Sequence, residues 1–142
     1  MKFTVIIKIT EQKKMIKLEL PIYASVSKKK TVLLSMNWFR NAHFQTESKV
    51  KKYYHQLVFA LLKKGDKIKG KIKVHYKLYY KNSKSDLMNV VSVVDKYLLD
   101  ALQEAKIIEN DNVLTYQECH IEVAGQDKIN PRLVVILEGE ND

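Results

Sequence analysis

The chain has 142 residues and a formal net charge of +9, from 25 lysines and arginines against 16 aspartates and glutamates. This length predicts one domain, residues 1–142, that buries a core without disulfides. The single cysteine, Cys119, excludes an internal disulfide and a cysteine-rich metal cluster, and it is predicted to lie buried or half-buried in a strand. No apolar run is long enough to cross a membrane and the N-terminus lacks signal-peptide features, which predicts an intracellular protein.

The positive charge is concentrated in the first 84 residues. They carry 21 basic and four acidic residues, whereas residues 85–142 carry four basic and twelve acidic ones. A basic body is typical of a protein that binds a polyanion, and an acidic cluster within it suits a bound cation. The alternative is that the lysines only keep a small domain in solution. Because Arg40 and Arg132 are the only arginines, a nucleic acid would be recognised by its backbone and shape more than by its bases.

The first third of the chain predicts strands and one aromatic segment. Apolar and polar residues alternate over 2–10 and 15–22, which predicts a hairpin, and a basic turn is predicted at 27–30. Residues 33–44, LLSMNWFRNAHF, lack a clear period and combine aromatic rings with amides and a cation. Such side chains stack on bases and contact phosphates, so Asn37 and Arg40 are predicted DNA contacts. The alternative is a loop whose aromatic rings fill the core.

A helix is predicted over 47–64, with Thr46 as its N-cap and Gly65 at its C-terminal end. Residues 67–81 form the clearest strand, with a row of lysines on one face. Their spacing of about 6.5 Å is near the phosphate repeat of a nucleic-acid strand, so Lys71 and Lys73 are predicted to bind DNA, as is Lys84 in the polar turn that follows. A merely solvated face is the alternative.

Residues 85–112 hold a second predicted helix, on which the functional interpretation depends. One stripe is apolar and comprises Val90, Val93, Val94, Tyr97, Leu98, Ala101 and Leu102. A second stripe carries Lys96 and Asp100, which are spaced for a simple ion pair, while Asp95 falls on the opposite flank and is predicted to be exposed. Asp86 precedes the helix and Asp111 follows it, so the two could meet only if the chain turns back. Strands are then predicted over 113–123 and 133–137, before an acidic tail, 138–142, that is expected to fray.

Three short motifs in this region resemble those of the RusA-type Holliday junction resolvases, especially their phage and prophage branch. The motifs are D-L-M-N at 86–89, K-x-x-x-D-A-L at 96–102 and E-N-D-N at 109–112, and the resemblance extends to SMNWFRNAHF and to the final strands. It implies an α+β fold, with a mixed β-sheet and helices packed mainly on one face. It also implies a homodimer that resolves Holliday junctions or other branched DNA with Mg²⁺, for which Mn²⁺ would substitute, in DNA recombination and repair. The expected location is cytoplasmic and nucleoid-associated, in a bacterium that carries the phage or prophage.

Matched position by position, the resemblance implies specific roles. Asp86 corresponds to the first aspartate of the family's D-x-D-N motif and Asp111 to the aspartate after the helix, and both would be catalytic metal ligands. Lys96 corresponds to the family's helix lysine, which would contact phosphate or steady the developing charge. Asn89 and Asp100 correspond to the motif's asparagine and to the aspartate of D-A-L, in supporting roles.

Two departures from the family pattern bear on activity. Met88 stands where the motif has its second aspartate and cannot bind Mg²⁺, and the interval from 86 to 96 is about one helical turn longer. Either Glu109, Asp95 or Asp100 supplies a third carboxylate, or the metal site is weak. The alternative function is therefore a RusA-like DNA-binding protein with weakened or absent catalysis, and a third is a small basic domain that binds protein.

Overall fold

A computed structural model describes residues 13–63 and 66–141. Within them lie six strands and three helices: β1 (Lys13–Pro21), β2 (Tyr23–Ser27), β3 (Lys30–Leu33), α1 (Met36–Asn41), α2 (Phe44–Leu61), β4 (Ile68–Tyr80), α3 (Leu87–Glu104), β5 (Tyr116–Gln126) and β6 (Arg132–Asn141). No helix in these segments is both long and apolar enough to span a membrane.

Four of the strands form one sheet in the order β1-β6-β4-β5, and β2 and β3 form a separate hairpin. β6 is antiparallel to both of its neighbours, whereas β4 and β5 are parallel and are connected through α3. The structure therefore confirms the predicted α+β class with a mixed sheet. In the parallel pair, β5 begins near the start of β4, since the amide of Ile72 donates to the carbonyl of Thr115 at 2.8 Å.

The core lies between the helices and one face of the sheet. Alternation within β4 directs Val74, Tyr76 and Leu78 to this face, and all three are buried. α3 supplies the largest helical share of the core, with nine buried residues: Val90, Val91, Val93, Val94, Tyr97, Leu98, Leu99, Ala101 and Leu102. The helix ends at Glu104, and Lys106 follows in the left-handed conformation at φ 60°, which is common just past a helix end.

The helix predicted over 47–64 exists but begins and ends earlier. α2 starts at Phe44 because the Nδ1 atom of His43, not a hydroxyl of Thr46, accepts the first free amide, that of Gln45, at 3.2 Å. Its C-cap is Leu62, and the predicted cap Gly65 lies outside the described residues. The aromatic segment 33–44 contains a short helix, α1, whose N-cap Ser35 accepts the amide of Trp38.

The strand predictions hold for β1, β4, β5 and β6 within a few residues. The prediction that 138–142 frays was wrong, since β6 continues to Asn141 and Glu138 pairs with Met15 on β1 and Lys73 on β4. Backbone hydrogen bonds on both sides hold this acidic segment in the sheet. The basic turn at 27–30 connects β2 to β3, and the strand predicted over 2–10 lies outside the described residues.

Candidate functional site

Asp86 acts as the N-cap of α3. Its Oδ1 accepts the backbone amide of Asn89 at 3.3 Å, and both residues are exposed at the start of the helix. This contact satisfies one of the amides that a helix N-terminus leaves without an intrahelical partner. The geometry therefore gives Asp86 and Asn89 a structural role that needs no metal ion.

Asp86 lies at the N-terminal end of α3, whereas Asp111 follows its C-terminal end. β4 ends at Tyr80 and leads into Asp86, whereas Asp111 lies in the segment that returns to the beginning of β5. The negative charge of Asp111 acts on Asp95 and raises its pKa. Asp95 is nine residues beyond Asp86, or about 13 Å along the helix axis, so the charge of Asp111 acts on a carboxyl group well along the helix from Asp86. One Mg²⁺ ion shared by Asp86 and Asp111 would need an oxygen of each within about 2.1 Å, and that shared site stays a prediction.

Asp95 is not the exposed residue that the helical projection predicted. It is half-buried, and its Oδ1 accepts hydrogen bonds from the hydroxyls of Tyr76 and, at 3.0 Å, of Tyr116. Buried Val91 and Leu99 stand one turn before and after it on α3, which places it at the margin of the apolar face. No described residue donates to its Oδ2, so one oxygen is fixed and the other is open.

Burial is the main influence on this carboxyl group and raises the pKa of Asp95. The two tyrosine hydrogen bonds lower that pKa and the nearby Asp111 raises it. The phenol of Tyr76 is buried, and burial together with the charge of Asp95 raises its pKa well above the ordinary value. Both tyrosines therefore stay protonated at neutral pH and act as hydrogen-bond donors to Asp95.

A groove of about 380 Å³ gives access to Asp95 between α3 and the edge strand β5. It is lined by Met88, Val91, Ser92, Asp95, Tyr116, Gln117, Glu118, Cys119 and Ile121. Cys119 lies in a strand as predicted, but it is exposed, not buried or half-buried. The reason is that β5 is an edge strand, so α3 covers only part of its inner face. Met88 forms part of the groove wall, with 55% of its surface exposed.

Lys96 and Asp100 do not form the ion pair that their spacing allows. The Lys96 ammonium lies 5.6 Å from the ring centre of Phe39 on α1, a cation–π arrangement. Asp100 lies 3.5 Å from the ammonium of Lys51 on α2. Lys96 and Asp95 are adjacent in sequence but face different neighbours, α1 for the lysine and β5 for the aspartate.

The lysine row on β4 faces the open side of the sheet, where acidic residues accompany it. Lys73 is half-buried and lies 4.0 Å from Glu118 of β5. His75 contacts Glu122 at 2.9 Å, and His120 contacts Glu118 at 3.1 Å. This face is a mosaic of both charges, which is what the alternative of a merely solvated face predicts. Lys71 is exposed beside the irregularity in β4.

The other predicted DNA contacts lie elsewhere. Asn37 and Arg40 are exposed on α1, the helix whose Phe39 contacts Lys96, and Lys84 is exposed in the turn before α3. Arg40, Lys84 and Lys71 form no ion pair with any described residue. The predicted contacts thus lie at three separate places on the surface.

In residues 13–63 and 66–141, no group of three or more histidine, cysteine, aspartate or glutamate side chains is arranged to hold a metal ion. The signal that could have identified Asp95 in the sequence is its position four residues from both Val91 and Leu99, on the flank of an apolar stripe.

No protein-family model matches this sequence, and no curated protein matches it either. What the protein does must therefore be inferred from the chemistry of its own side chains.

Proposed function

We propose that this protein is a Mg²⁺-dependent endonuclease of the RusA type that cleaves Holliday junctions or other branched DNA as a homodimer. The observation that carries the proposal is the carboxylate of Asp95, with one oxygen fixed by two tyrosine hydroxyls and the other open beside Asp111. The basic character of the chain supplies the affinity for a polyanion.

The donor set fits Mg²⁺, which prefers oxygen ligands. Mg²⁺ is commonly held by one or two carboxylates together with substrate phosphates and water, and Asp95 and Asp111 provide two carboxylates. Burial and the like charge of Asp111 raise the pKa of Asp95, and a bound cation would offset that repulsion. Bound there, Mg²⁺ would activate water and stabilise charge on the scissile phosphate.

The remaining side chains have positioning roles. Tyr76 and Tyr116 orient the carboxylate of Asp95, as hydrogen-bonded neighbours of metal ligands commonly do. Lys96 leaves its place over Phe39 to contact a phosphate, since a lysine at an exposed cation–π contact is held only weakly. Asp86 caps α3 and so fixes the start of the helix that carries both Asp95 and Lys96.

A second candidate function is DNA binding by a protein of the same type that does not cleave the DNA. The observation that favours it is Met88, which lines the groove beside Asp95 and offers no oxygen to a metal ion. Such a protein would retain junction binding and lose metal binding.

The test is cleavage of a labelled four-way junction in Mg²⁺ or Mn²⁺, with linear duplex of the same sequence as the control substrate. We expect the wild-type protein to nick the junction, and Asp95→Asn and Asp111→Asn each to reduce the rate by about 100-fold or more, because each removes a ligand worth several kcal/mol. Glu122→Gln, on the open face of the sheet, is the matched control and should cleave normally.

Loss of cleavage in Asp95→Asn should not reflect unfolding. A carboxyl group whose folded pKa is raised destabilises the fold above that pKa, so a neutral amide should leave the melting temperature unchanged or higher. If the wild-type protein binds the junction but cleaves it with neither metal ion, and calorimetry detects no Mg²⁺ binding at millimolar concentration, the binding function replaces the enzymatic one. Normal cleavage by both variants would show that the site lies elsewhere.

A further inference from the structure

The loop between β5 and β6, residues 127–131, is held in one conformation by its own side chains. The Oδ1 of Asp127 accepts the amides of Ile129 at 3.1 Å and of Asn130 at 2.9 Å. Its Oδ2 pairs with Arg132 at 2.9 Å, and the guanidinium of Arg132 lies 4.2 Å from the ring centre of Tyr79. These contacts lower the pKa of Asp127, so the carboxylate stays ionised and the loop stays closed at neutral pH.

This conformation presents Ile129 to solvent, with 96% of its surface exposed. An exposed isoleucine by itself is ordinary. Here, however, the backbone amide of that isoleucine is hydrogen-bonded to Asp127, so the side chain is projected from a defined backbone and not from a loosely held loop. A projected apolar side chain loses little further conformational entropy when it enters a binding partner.

The surroundings of Ile129 are basic and polar. A cleft of about 530 Å³ separates this loop from the turn before α3, and it is lined by Tyr80, Lys81, Asn82, Ser83, Gln126 and Lys128. The two walls are tied together, because Gln126 donates to the carbonyl of Lys81 at 3.0 Å and the amide of Asp127 donates to that of Tyr80 at 2.8 Å. Lys128 and Lys84 are exposed, and neither is paired with an acidic side chain in the described part of the chain.

We propose that Ile129 is a wedge that enters the base stack of the branched DNA substrate while Lys84 and Lys128 contact the flanking phosphates. The proposal rests on the function proposed above. Proteins that bend or open DNA insert apolar side chains, isoleucine among them, between base steps. Lysine is depleted at protein–protein interfaces, so Lys128 next to the isoleucine, with Lys81 in the adjoining cleft, favours a nucleic acid over a protein partner.

The location of the Ile129 loop fits a side chain that acts near the branch point and not at the scissile bond. The loop lies at the end of the sheet where β4 and β5 finish and α3 begins. Asp95 is about 13 Å further along α3 than Asp86, a distance of a few base pairs of duplex. Bases at a branch are already partly unstacked, so their opening there costs less than within a continuous duplex.

The test uses four-way junctions that each carry one 2-aminopurine next to the branch, with binding followed by anisotropy and no divalent metal present. We expect the wild-type protein to increase the 2-aminopurine fluorescence at one or more positions. Ile129→Ala should lose most of that increase and bind about tenfold more weakly or worse, a cost typical of a lost apolar contact, and Ile129→Leu should retain the increase. Val113→Ala removes another exposed apolar side chain, 78% exposed and located before β5, and should behave as wild type.

The outcomes distinguish failure of the wedge proposal from failure of the proposed endonuclease function. If the wild-type protein cleaves the junction but Ile129→Ala gives the full fluorescence increase, the wedge is wrong and the function stands. That result would leave Ile129 as an anchor for a protein partner. If the wild-type protein does not bind branched DNA, both proposals fall. Because the side chain of Ile129 is exposed, its replacement should leave the melting temperature unchanged, which excludes unfolding as a cause of the loss.

Discussion

At the scale of single residues, Asp95 illustrates how a folded chain orients a partly buried carboxylate. Its position at the margin of the apolar face of α3 places it against β5, and the two tyrosines come from different strands, Tyr76 on β4 and Tyr116 on β5. Both hydroxyls bind the same oxygen. The carboxylate is thereby oriented without being neutralised, a combination that favours a metal ligand over a structural ion pair.

Asp86 offers a separate test, because a capping role and a metal-binding role make different predictions. Asparagine caps helices about as well as aspartate, whereas alanine costs about 1 kcal/mol. We therefore expect Asp86→Asn to keep both stability and junction cleavage within a few-fold of wild type, and Asp86→Ala to lower the free energy of unfolding in urea by about that amount. An Asp86→Asn variant that folds normally but does not cleave would show that Asp86 binds the metal ion.

The sequence contained part of this site. Asp111 and Lys96 were chosen from motif positions, and their functional roles stay predictions; Lys96 lies on α3 and Asp111 in the segment that follows it. The influence of Asp111 on Asp95 could not be identified, because it depends on the parallel pairing of β4 with β5, which places Tyr76 and Tyr116 beside Asp95. A helical projection treats a helix as if it had one buried side, whereas Val91 and Leu99 widen the buried side of α3 toward Asp95.

At the scale of elements, the predictable helices and strands were those long enough to repeat a regular apolar pattern several times. β4 and α3 follow periods of two and 3.6 residues, and both were located correctly. α1, β2 and β3 have only four to six residues each, too few to show a period. The acidic end of β6 was missed for another reason, since its place in the sheet is determined by its neighbours and not by its own side chains.

The packing of β6 against β4 requires a glycine at one position. A methyl group on Gly139 would lie 2.1 Å from Cγ2 of Ile68 and 3.2 Å from the carbonyl oxygen of Lys71. We expect Gly139→Ala to destabilise the protein by about 1–3 kcal/mol, the usual cost of overpacking. Gly125→Ala, whose new methyl group would be 3.9 Å from the ring of Tyr79, should change stability little. Urea unfolding measures both, and equal effects would contradict the steric explanation.

At the scale of the whole molecule, the basic residues are not equally free to bind a polyanion. Lys13, Lys14, Lys51 and Lys73 each lie within 4.0 Å of a carboxylate. On the open face of the sheet, the glutamates of β5 accompany the basic residues of β4. Cations without an ion pair in the described part of the chain include Lys71 on β4 as well as Arg40, Lys84 and Lys128 near the helices and turns.

This distribution of charge predicts that substitutions of different basic residues will change the salt dependence of junction binding by different amounts. Each phosphate contact contributes about 0.9 to the slope of log affinity against log salt concentration. We expect Lys84→Gln and Arg40→Gln each to reduce the slope of junction binding by about that amount, and Lys73→Gln to change it little, because Glu118 already accompanies Lys73. Anisotropy titrations at several salt concentrations measure the slopes. A larger effect of Lys73→Gln than of Lys84→Gln would place the DNA on the open face of the sheet.

The position of β6 between β1 and β4 has a consequence for synthesis of the protein. Among the described strands, β1 joins β4 only through β6, so this four-stranded sheet cannot assemble until residues 132–141 have left the ribosome. During that interval the apolar sides of β1 and β4 and their unpaired edges are uncovered, and contacts this distant in sequence form slowly. The nascent chain is therefore the state in which this protein most needs a chaperone. A ribosome stalled before residue 132 would keep the chain in this state, with the apolar sides of β1 and β4 uncovered.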